Sequence, residues 1–192
     1  QMNEHDTEKM SCLLLSKGMD RIEDMNDADV VIVNTCCISE KAEQKFYSLM
    51  GRLRKIKRKK GTILGVTGCI AQQEKNGIGE KLPFIDFSLG PSSIHRIAEA
   101  IDYAARKDHL FDFSENGCTD SLLIEPGNAN KKFKTYVTIM KGCNNFCSYC
   151  VVPHVRGREA SRDSSDILKE ITNLSLLGVK EVTLLGQNVN SY

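Results

Sequence analysis

The chain has 192 residues, of which 41% are hydrophobic and 27% charged, a composition that supports a buried core and excludes disordered and fibrous proteins. Its 26 Lys and Arg nearly balance its 25 Asp and Glu, so any contact with RNA must be a local patch rather than bulk charge. We expect a cytoplasmic protein with no membrane partner, because no apolar run approaches the roughly 18 residues that span a bilayer and no export signal opens the sequence.

The first part of the chain alternates predicted helices and strands. A helix is predicted over residues 3–18, because Asn3 and the acidic residues after it are typical of a helix start and Gly18 is typical of a helix end. Residues 28–34 form a continuous apolar run, which is typical of a strand buried on both faces of a parallel sheet. A second helix is predicted by apolar residues at spacings of three and four: Ala42, Phe46, Leu49, Leu53 and Ile56.

The same alternation continues along the chain. Strands are predicted at 62–67 and 84–89, and helices at 71–76 and 92–105. Strands that alternate with helices predict an α/β fold with an open parallel sheet.

A change of pattern predicts a second domain. Residues 106–132 lose the alternation and contain Asn-Gly and Pro-Gly pairs, so we assign them to a linker between domains of residues 1–105 and 133–192. The second domain contains a strand, a cysteine-bearing loop, a helix and another strand, which are the opening steps of a β/α barrel. Its regular elements are predicted at 135–140, 164–177 and 181–185.

Eight cysteines in a protein without an export signal favour metal or cluster ligation over disulfides, because the cytosol keeps thiols reduced. Cys12, beside the apolar face of the first predicted helix, and Cys118, in the linker, are predicted to be structural thiols. The sequence opens on Gln1 rather than Met and ends directly after a strand pattern, so we expect a fragment cut at both ends.

Three cysteines have the spacing C-x3-C-x2-C directly after a predicted strand, and we call Cys143, Cys147 and Cys150 the loop cysteines. Such a loop can fold three thiolates around one face of an iron-sulfur cluster. Three ligands for four irons leave one iron open, which an amine and a carboxylate can chelate while electrons pass from the cluster. The alternative is a zinc site completed by His154, although zinc motifs usually pair two separate arms.

The loop cysteines, with Tyr149 before the last of them, resemble the radical S-adenosylmethionine superfamily. The wider frame YVTIMKGCNNFCSYCVVPHVRGREASR resembles its methylthiotransferases. The segments QMNEHDTEKM, NTCCISEKAEQK, TGCIAQ and LLGQNVNSY match the same family, so the resemblance covers essentially the whole chain. It implies a methylthiotransferase domain followed by the first part of a radical S-adenosylmethionine β/α barrel.

The resemblance implies a 4Fe-4S cluster on the loop cysteines that binds S-adenosylmethionine and cleaves it reductively to a 5′-deoxyadenosyl radical. An electron donor such as flavodoxin or ferredoxin is implied as a partner. Residues that match the family's cofactor-binding positions are Tyr149, Gly186 and Gln187. Taken alone, Gly186 is equally well read as a turn at the end of a strand.

The implied reaction adds a methylthio group to carbon 2 of a dimethylallylated adenosine beside the anticodon of tRNA, with a second S-adenosylmethionine supplying the methyl group. Alternatives within the family act on threonylcarbamoyl-adenosine in tRNA or on an aspartate of a ribosomal protein, and GQNVNSY favours the first substrate. An alternative of another class is a non-enzymatic iron-sulfur or zinc module that binds RNA or carries electrons.

Two further cysteines follow neighbouring predicted strands, and we call Cys36 and Cys69 the strand-end cysteines. Both lie just beyond the carboxyl ends of parallel strands, where ligands bind in open α/β folds, so they can converge on one cluster. The resemblance implies a second 4Fe-4S cluster with a third cysteine immediately upstream of Gln1. It favours Cys36 over its neighbour Cys37, because the family usually has a small residue after the ligand.

Three arginines flank the loop cysteines and are predicted to stand at the mouth of the barrel: Arg156, Arg158 and Arg162. We predict that they contact RNA phosphate or a cofactor carboxylate, since guanidinium groups bind both well. The alternative is a salt bridge to Glu159 or Asp163.

Overall fold

A computed structural model describes residues 1–37, 39–114 and 133–192 of the chain. We call residues 1–114 the first unit and residues 133–192 the second unit. The first unit contains a parallel sheet in the order β1-β2-β3-β4, formed by Val30–Thr35, Ile63–Gly68, Phe87–Leu89 and Leu110–Asp112. Its helices are α1 Met2–Ser16, α2 Glu40–Lys60, α3 Cys69–Glu74, α4 Gly77–Lys81 and α5 Ile97–Ala105, with a 3₁₀ helix at Pro91–Arg96.

Helices cover both faces of this sheet. Each strand contributes side chains to both layers, because alternate residues of a strand point to opposite sides. On one face, Val31 and Val33 pack with the buried side of α2. On the other, Val30 and Ile32 pack with α1 and α5. The predicted α/β fold is confirmed.

Local sequence explains the start and orientation of α2. The Ser39 side chain accepts a hydrogen bond from the Ala42 amide at 3.3 Å and caps the first turn. Acidic residues occupy that turn and basic residues the last one, as the helix dipole favours. Its buried face contains Phe46 and Leu53, which the apolar spacing predicts, and Met50, which it does not.

Strand β1 differs from its prediction. Its residues Val30 to Asn34 are only partly buried, because β1 lies at the edge of the sheet and pairs with β2 alone. Full burial is found instead in the neighbouring strand β2, in which Leu64 and Val66 have no exposed surface. An apolar run of this length is compatible with a strand at the edge or at the centre of a sheet, so the sequence did not predict which position β1 takes.

The core around Leu53 provides a test of the packing. Leu53 is fully buried in a cluster with Met50, Leu64 and Ile78. We expect Leu53→Ala to lower the free energy of unfolding by about 2–5 kcal/mol, because the site loses buried methyl groups and keeps a cavity. Denaturant unfolding measures this change. Leu168→Ala is the matched control, since Leu168 is 63% exposed, and should change the free energy by less than about 0.5 kcal/mol.

The second unit contains the first steps of a barrel. Strand β5, Lys134–Thr138, pairs in parallel with β8, Glu181–Leu185. Helix α7, Ser164–Leu176, packs its buried side chains against one face of this pair. Two short strands, β6 Met140–Lys141 and β7 Ala160–Ser161, pair antiparallel around the cysteine loop. A one-turn helix α6, Val152–Val155, and a 3₁₀ helix, Val189–Ser191, complete the unit.

The structure changes several predicted boundaries. Strand β4 lies inside the predicted linker 106–132, because its three residues pair with β3 and extend the first sheet. The predicted helix 92–105 begins as the 3₁₀ helix, and the predicted strand 135–140 is divided into β5 and β6. The rest of the linker, with Cys118, lies outside the described residues. In the ranges described, none of the helices has the length and apolar character needed to cross a bilayer.

Candidate functional site

The carboxyl edge of the first sheet brings the strand-end cysteines together. Thr35 and Gly68 are partners in the register of β1 and β2, so Cys36 and Cys69 leave adjacent strands at the same edge. Gly68 has φ +92°, and a Cβ there would lie 2.4 Å from the Thr35 carbonyl oxygen. Only glycine therefore allows this close approach. The Thr35 hydroxyl accepts a hydrogen bond from the Ile70 amide at 3.0 Å and holds the first turn of α3 against β1.

The structure also places Cys37 beside this pair. The Cys37 thiol donates a hydrogen bond to Cys69, which raises the pKa of Cys37 and lowers the pKa of Cys69. Burial opposes the lowering at Cys69, and the guanidinium of Arg156 adds to it. Cys69 is buried, while Cys36 and Cys37 are half-buried. The assignment of Cys36 rather than Cys37 as the ligand stays a prediction.

Asn3 fixes the start of α1 against the same edge. Its side-chain amide donates a hydrogen bond to the Thr35 backbone carbonyl at 2.7 Å, and its backbone carbonyl accepts one from the Asn34 side-chain amide at 2.8 Å. The residue that follows Thr35 is Cys36, so the beginning of the chain lies against the strand that carries this cysteine. Sequence reasoning missed this role of Asn3, although the residue belongs to the QMN segment of the family resemblance.

The loop cysteines follow β6 through a second obligatory glycine. Gly142 has φ +72°, and a Cβ there would lie 2.1 Å from the Arg158 carbonyl oxygen. Cys143 is buried and donates its amide hydrogen to Gly157 at 3.2 Å. Cys147 is exposed, and Cys150 is half-buried.

The donor chemistry of this loop fits an iron-sulfur cluster, since three thiols on one short segment are what such clusters use. In the residues that the structure covers, no three His, Cys, Asp or Glu side chains converge closely enough to hold a metal ion. His154, the fourth ligand of the zinc alternative, is exposed and faces the Phe146 ring at 6.4 Å.

The predicted cofactor residues lie at two places in the second unit. Tyr149 is 90% exposed on the cysteine loop. Gly186 directly follows β8, and a Cβ there would lie 2.4 Å from the Met140 side chain. The Gln187 side-chain oxygen is buried and has no hydrogen-bond partner among the residues described. A buried acceptor without a partner is destabilising, so this oxygen is suited to a donor such as an ammonium group.

Comparison with known proteins agrees with the two-unit architecture. Residues 1–90 match a family described as "Uncharacterized protein family UPF0004", and residues 137–192 match the "Radical SAM superfamily". The whole chain is 48% identical over 194 residues to a tRNA-2-methylthio-N(6)-dimethylallyladenosine synthase of Syntrophus aciditrophicus (strain SB). It is 47% identical over 195 residues to the protein of that name in Geobacter sulfurreducens.

The chain is similar over its whole length to these two synthases. It spans 42% of the length of the Syntrophus protein and 44% of the Geobacter protein, and all of the chain is covered in each comparison. The family resemblance stated for the sequence is confirmed.

Two of the three arginines near the cysteine loop lie in buried ion pairs. Arg156 pairs with Asp6 at 2.7 Å, and Arg162 pairs with Glu170 at 2.7 Å. These partners differ from the carboxylates that the sequence suggested as an alternative, because the true partners lie on α1 and α7. Arg158 is exposed. The geometry therefore supports an RNA contact for Arg158 more than for the other two.

A buried histidine lies at the boundary between the two units. His5 has no exposed surface, and neither ring nitrogen has a hydrogen-bond partner in the described ranges. Burial, followed by the nearby charges of Lys9 and Arg162, lowers the pKa of His5 to about 3. The imidazole is therefore neutral near pH 7, which agrees with a packing role.

Proposed function

We propose that the full-length protein adds a methylthio group to carbon 2 of N6-dimethylallyladenosine beside the anticodon of tRNA. The observation that carries the proposal is the combination of three thiols on one loop with the buried oxygen of Gln187, which has no partner in the described part of the chain. The synthases of Syntrophus and Geobacter support the choice of substrate by their names.

In this proposal the loop cysteines hold a 4Fe-4S cluster through their thiolates, with one iron left open for S-adenosylmethionine. When bound, the cluster supplies the electron that cleaves the cofactor reductively. The Gln187 oxygen would accept a hydrogen bond from the methionine amine, and Gly186 lies beside it in the same segment. The exposed ring of Tyr149 packs against the cofactor.

A second cluster is proposed at the carboxyl edge of the first sheet. The strand-end cysteines supply two thiolates, and a cysteine expected just before Gln1 supplies the third. Support comes from the register of Thr35 with Gly68 and from Asn3, which holds the start of α1 at the same edge. The protein would hold these thiolates in position, and the bound cluster would supply the sulfur chemistry.

The proposed partners are tRNA and a reduced electron carrier such as flavodoxin or ferredoxin, which places the enzyme in the cytoplasm with its substrate. Arg158 is exposed two residues after Arg156 and is proposed to contact an RNA phosphate. Phosphate contacts orient the polyanion while one base enters the site.

The function is tested with the full-length enzyme, intact clusters, a reductant and bulk tRNA from cells that lack the enzyme. We expect mass spectrometry of the nucleosides to show a methylthio group on dimethylallyl-adenosine. Arg158→Ala should weaken tRNA binding and reduce its salt dependence by about one phosphate contact. Lys169→Ala is the control, because this exposed lysine lies on α7 and pairs with Asp166.

Two outcomes contradict the proposal in different ways. Modification of threonylcarbamoyl-adenosine or of a ribosomal protein retains the chemistry and rejects the substrate. Binding of tRNA without any modified nucleoside favours the non-enzymatic iron-sulfur module.

A further inference from the structure

Arg156 connects the two cysteine-bearing units. One terminal nitrogen of its guanidinium pairs with Asp6 Oδ2 at 2.7 Å, and the other donates to Asn3 Oδ1 at 3.0 Å. The Cys69 thiol lies near the same guanidinium. Arg156 therefore contacts both α1 and the carboxyl edge of the first sheet, although it belongs to the second unit.

The position of Arg156 along the chain relates this contact to the loop cysteines. It directly follows α6, the one-turn helix that begins two residues after Cys150. Helix α6 packs against α3, whose first residue is Cys69. A shift of Arg156 would therefore move the end of the cysteine loop relative to Cys69.

Burial makes the contact specific. The side chains of Arg156 and Asp6 are 10% and 11% exposed, so the pair is largely removed from water. Loss of the arginine would leave the Asp6 carboxylate buried without its partner, which is strongly unfavourable. A lysine would present a single ammonium group, whereas the planar guanidinium reaches Asp6 and Asn3 with two separate nitrogens.

We infer that Arg156 is a positioning residue that sets the loop cysteines in a fixed relation to the strand-end cysteines. The inference rests on the proposed function, in which both cysteine sites must serve one base of the substrate. Arg156 acts by holding α6 and α1 together. A fixed distance between the two cysteine sites matters for the reaction, because misplacement of reacting groups by about 1 Å can lower a rate about 100-fold. The same contacts engage the guanidinium, so Arg156 is not available to RNA.

The first test measures the ratio of 5′-deoxyadenosine to methylthiolated nucleoside formed by the reconstituted full-length enzyme. We expect Arg156→Ala to raise this ratio at least 10-fold, because cofactor cleavage needs only the loop cysteines while product needs both sites. Arg156→Lys should give an intermediate ratio. Asp86→Ala is the control, since Asp86 pairs with Lys57 entirely within the first unit, and it should leave the ratio unchanged.

The second test does not depend on activity. Hydrogen exchange of the cluster-free full-length protein should become faster in α1 and α6 of Arg156→Ala but remain unchanged there in Asp86→Ala. If Arg156→Ala fails to fold, Asp6→Asn is used instead, because it removes the carboxylate charge with little change of shape. This variant should also raise the ratio of 5′-deoxyadenosine to product and speed exchange in α1 and α6. Unchanged exchange in α1 and α6 would overturn the inference even if methylthiolation is observed. Increased exchange without methylthiolation by the parent enzyme would retain the inter-unit contact and reject the proposed function.

Discussion

Replacing all three loop cysteines with Ala is expected to abolish reductive cleavage of S-adenosylmethionine. The reason is that Cys143, Cys147 and Cys150 are the proposed ligands of the cluster that delivers the electron. The measurement is 5′-deoxyadenosine formed by the full-length protein after anaerobic reconstitution and reduction. Production should fall to the level of a reaction without protein.

Cys12→Ala provides the matched control, because it removes a thiol at a helix position for which the sequence predicts a structural role. Cleavage should continue in this variant at the rate of the parent protein. Cleavage that survives the triple substitution would refute the assignment of radical chemistry. Zinc in place of iron in the parent protein would instead favour the alternative site that includes His154.

Replacing Cys36 and Cys69 together should separate the two halves of the reaction. Iron content is expected to fall by about one 4Fe-4S cluster, cofactor cleavage should persist, and methylthiolation should stop. The prediction follows from the register of β1 and β2, which brings both residues to one edge of the sheet. Iron analysis, 5′-deoxyadenosine and modified nucleosides are measured on the same preparation. Unchanged iron content would make both residues structural thiols.

Cys37→Ala tests the choice between neighbouring cysteines. The structure makes this comparison necessary, because the Cys37 thiol hydrogen-bonds Cys69. We expect the iron content of Cys37→Ala to equal that of the parent protein. If Cys37→Ala loses the iron of one cluster while Cys36→Ala keeps the iron content of the parent protein, Cys37 rather than Cys36 is the ligand.

The sequence was most informative where chemistry depends on local spacing. The helix around Leu53 and the strand that ends before Cys69 follow from apolar periodicity, and their order predicts that Cys36 and Cys69 meet at one sheet edge. Parallel pairing of β5 with β8 likewise follows from a strand-helix-strand pattern. These features need only nearby residues and the general rules of α/β folds.

Long-range partners were beyond the reach of the sequence. Arg156 and Asp6 are far apart in the chain, and nothing in either local pattern indicates that they pair. The edge position of β1 was missed for a related reason, since it depends on which strands follow and how they are ordered. The burial of the Gln187 oxygen, which has no partner within the described ranges, depends on the packing of the surrounding second unit.

The burial of polar residues on α1 has a consequence for the order of folding during synthesis. His5, Asp6 and Lys9 are buried in the finished structure, yet Asn3 and Arg156 are 153 positions apart in the chain. At a translation rate of roughly 5–20 residues per second, Arg156 emerges roughly 8–30 s after the helix that it will contact. During this interval the Asp6 carboxylate has no guanidinium partner and remains hydrated, so the polar side of α1 reaches its final buried environment only after Arg156 has left the ribosome.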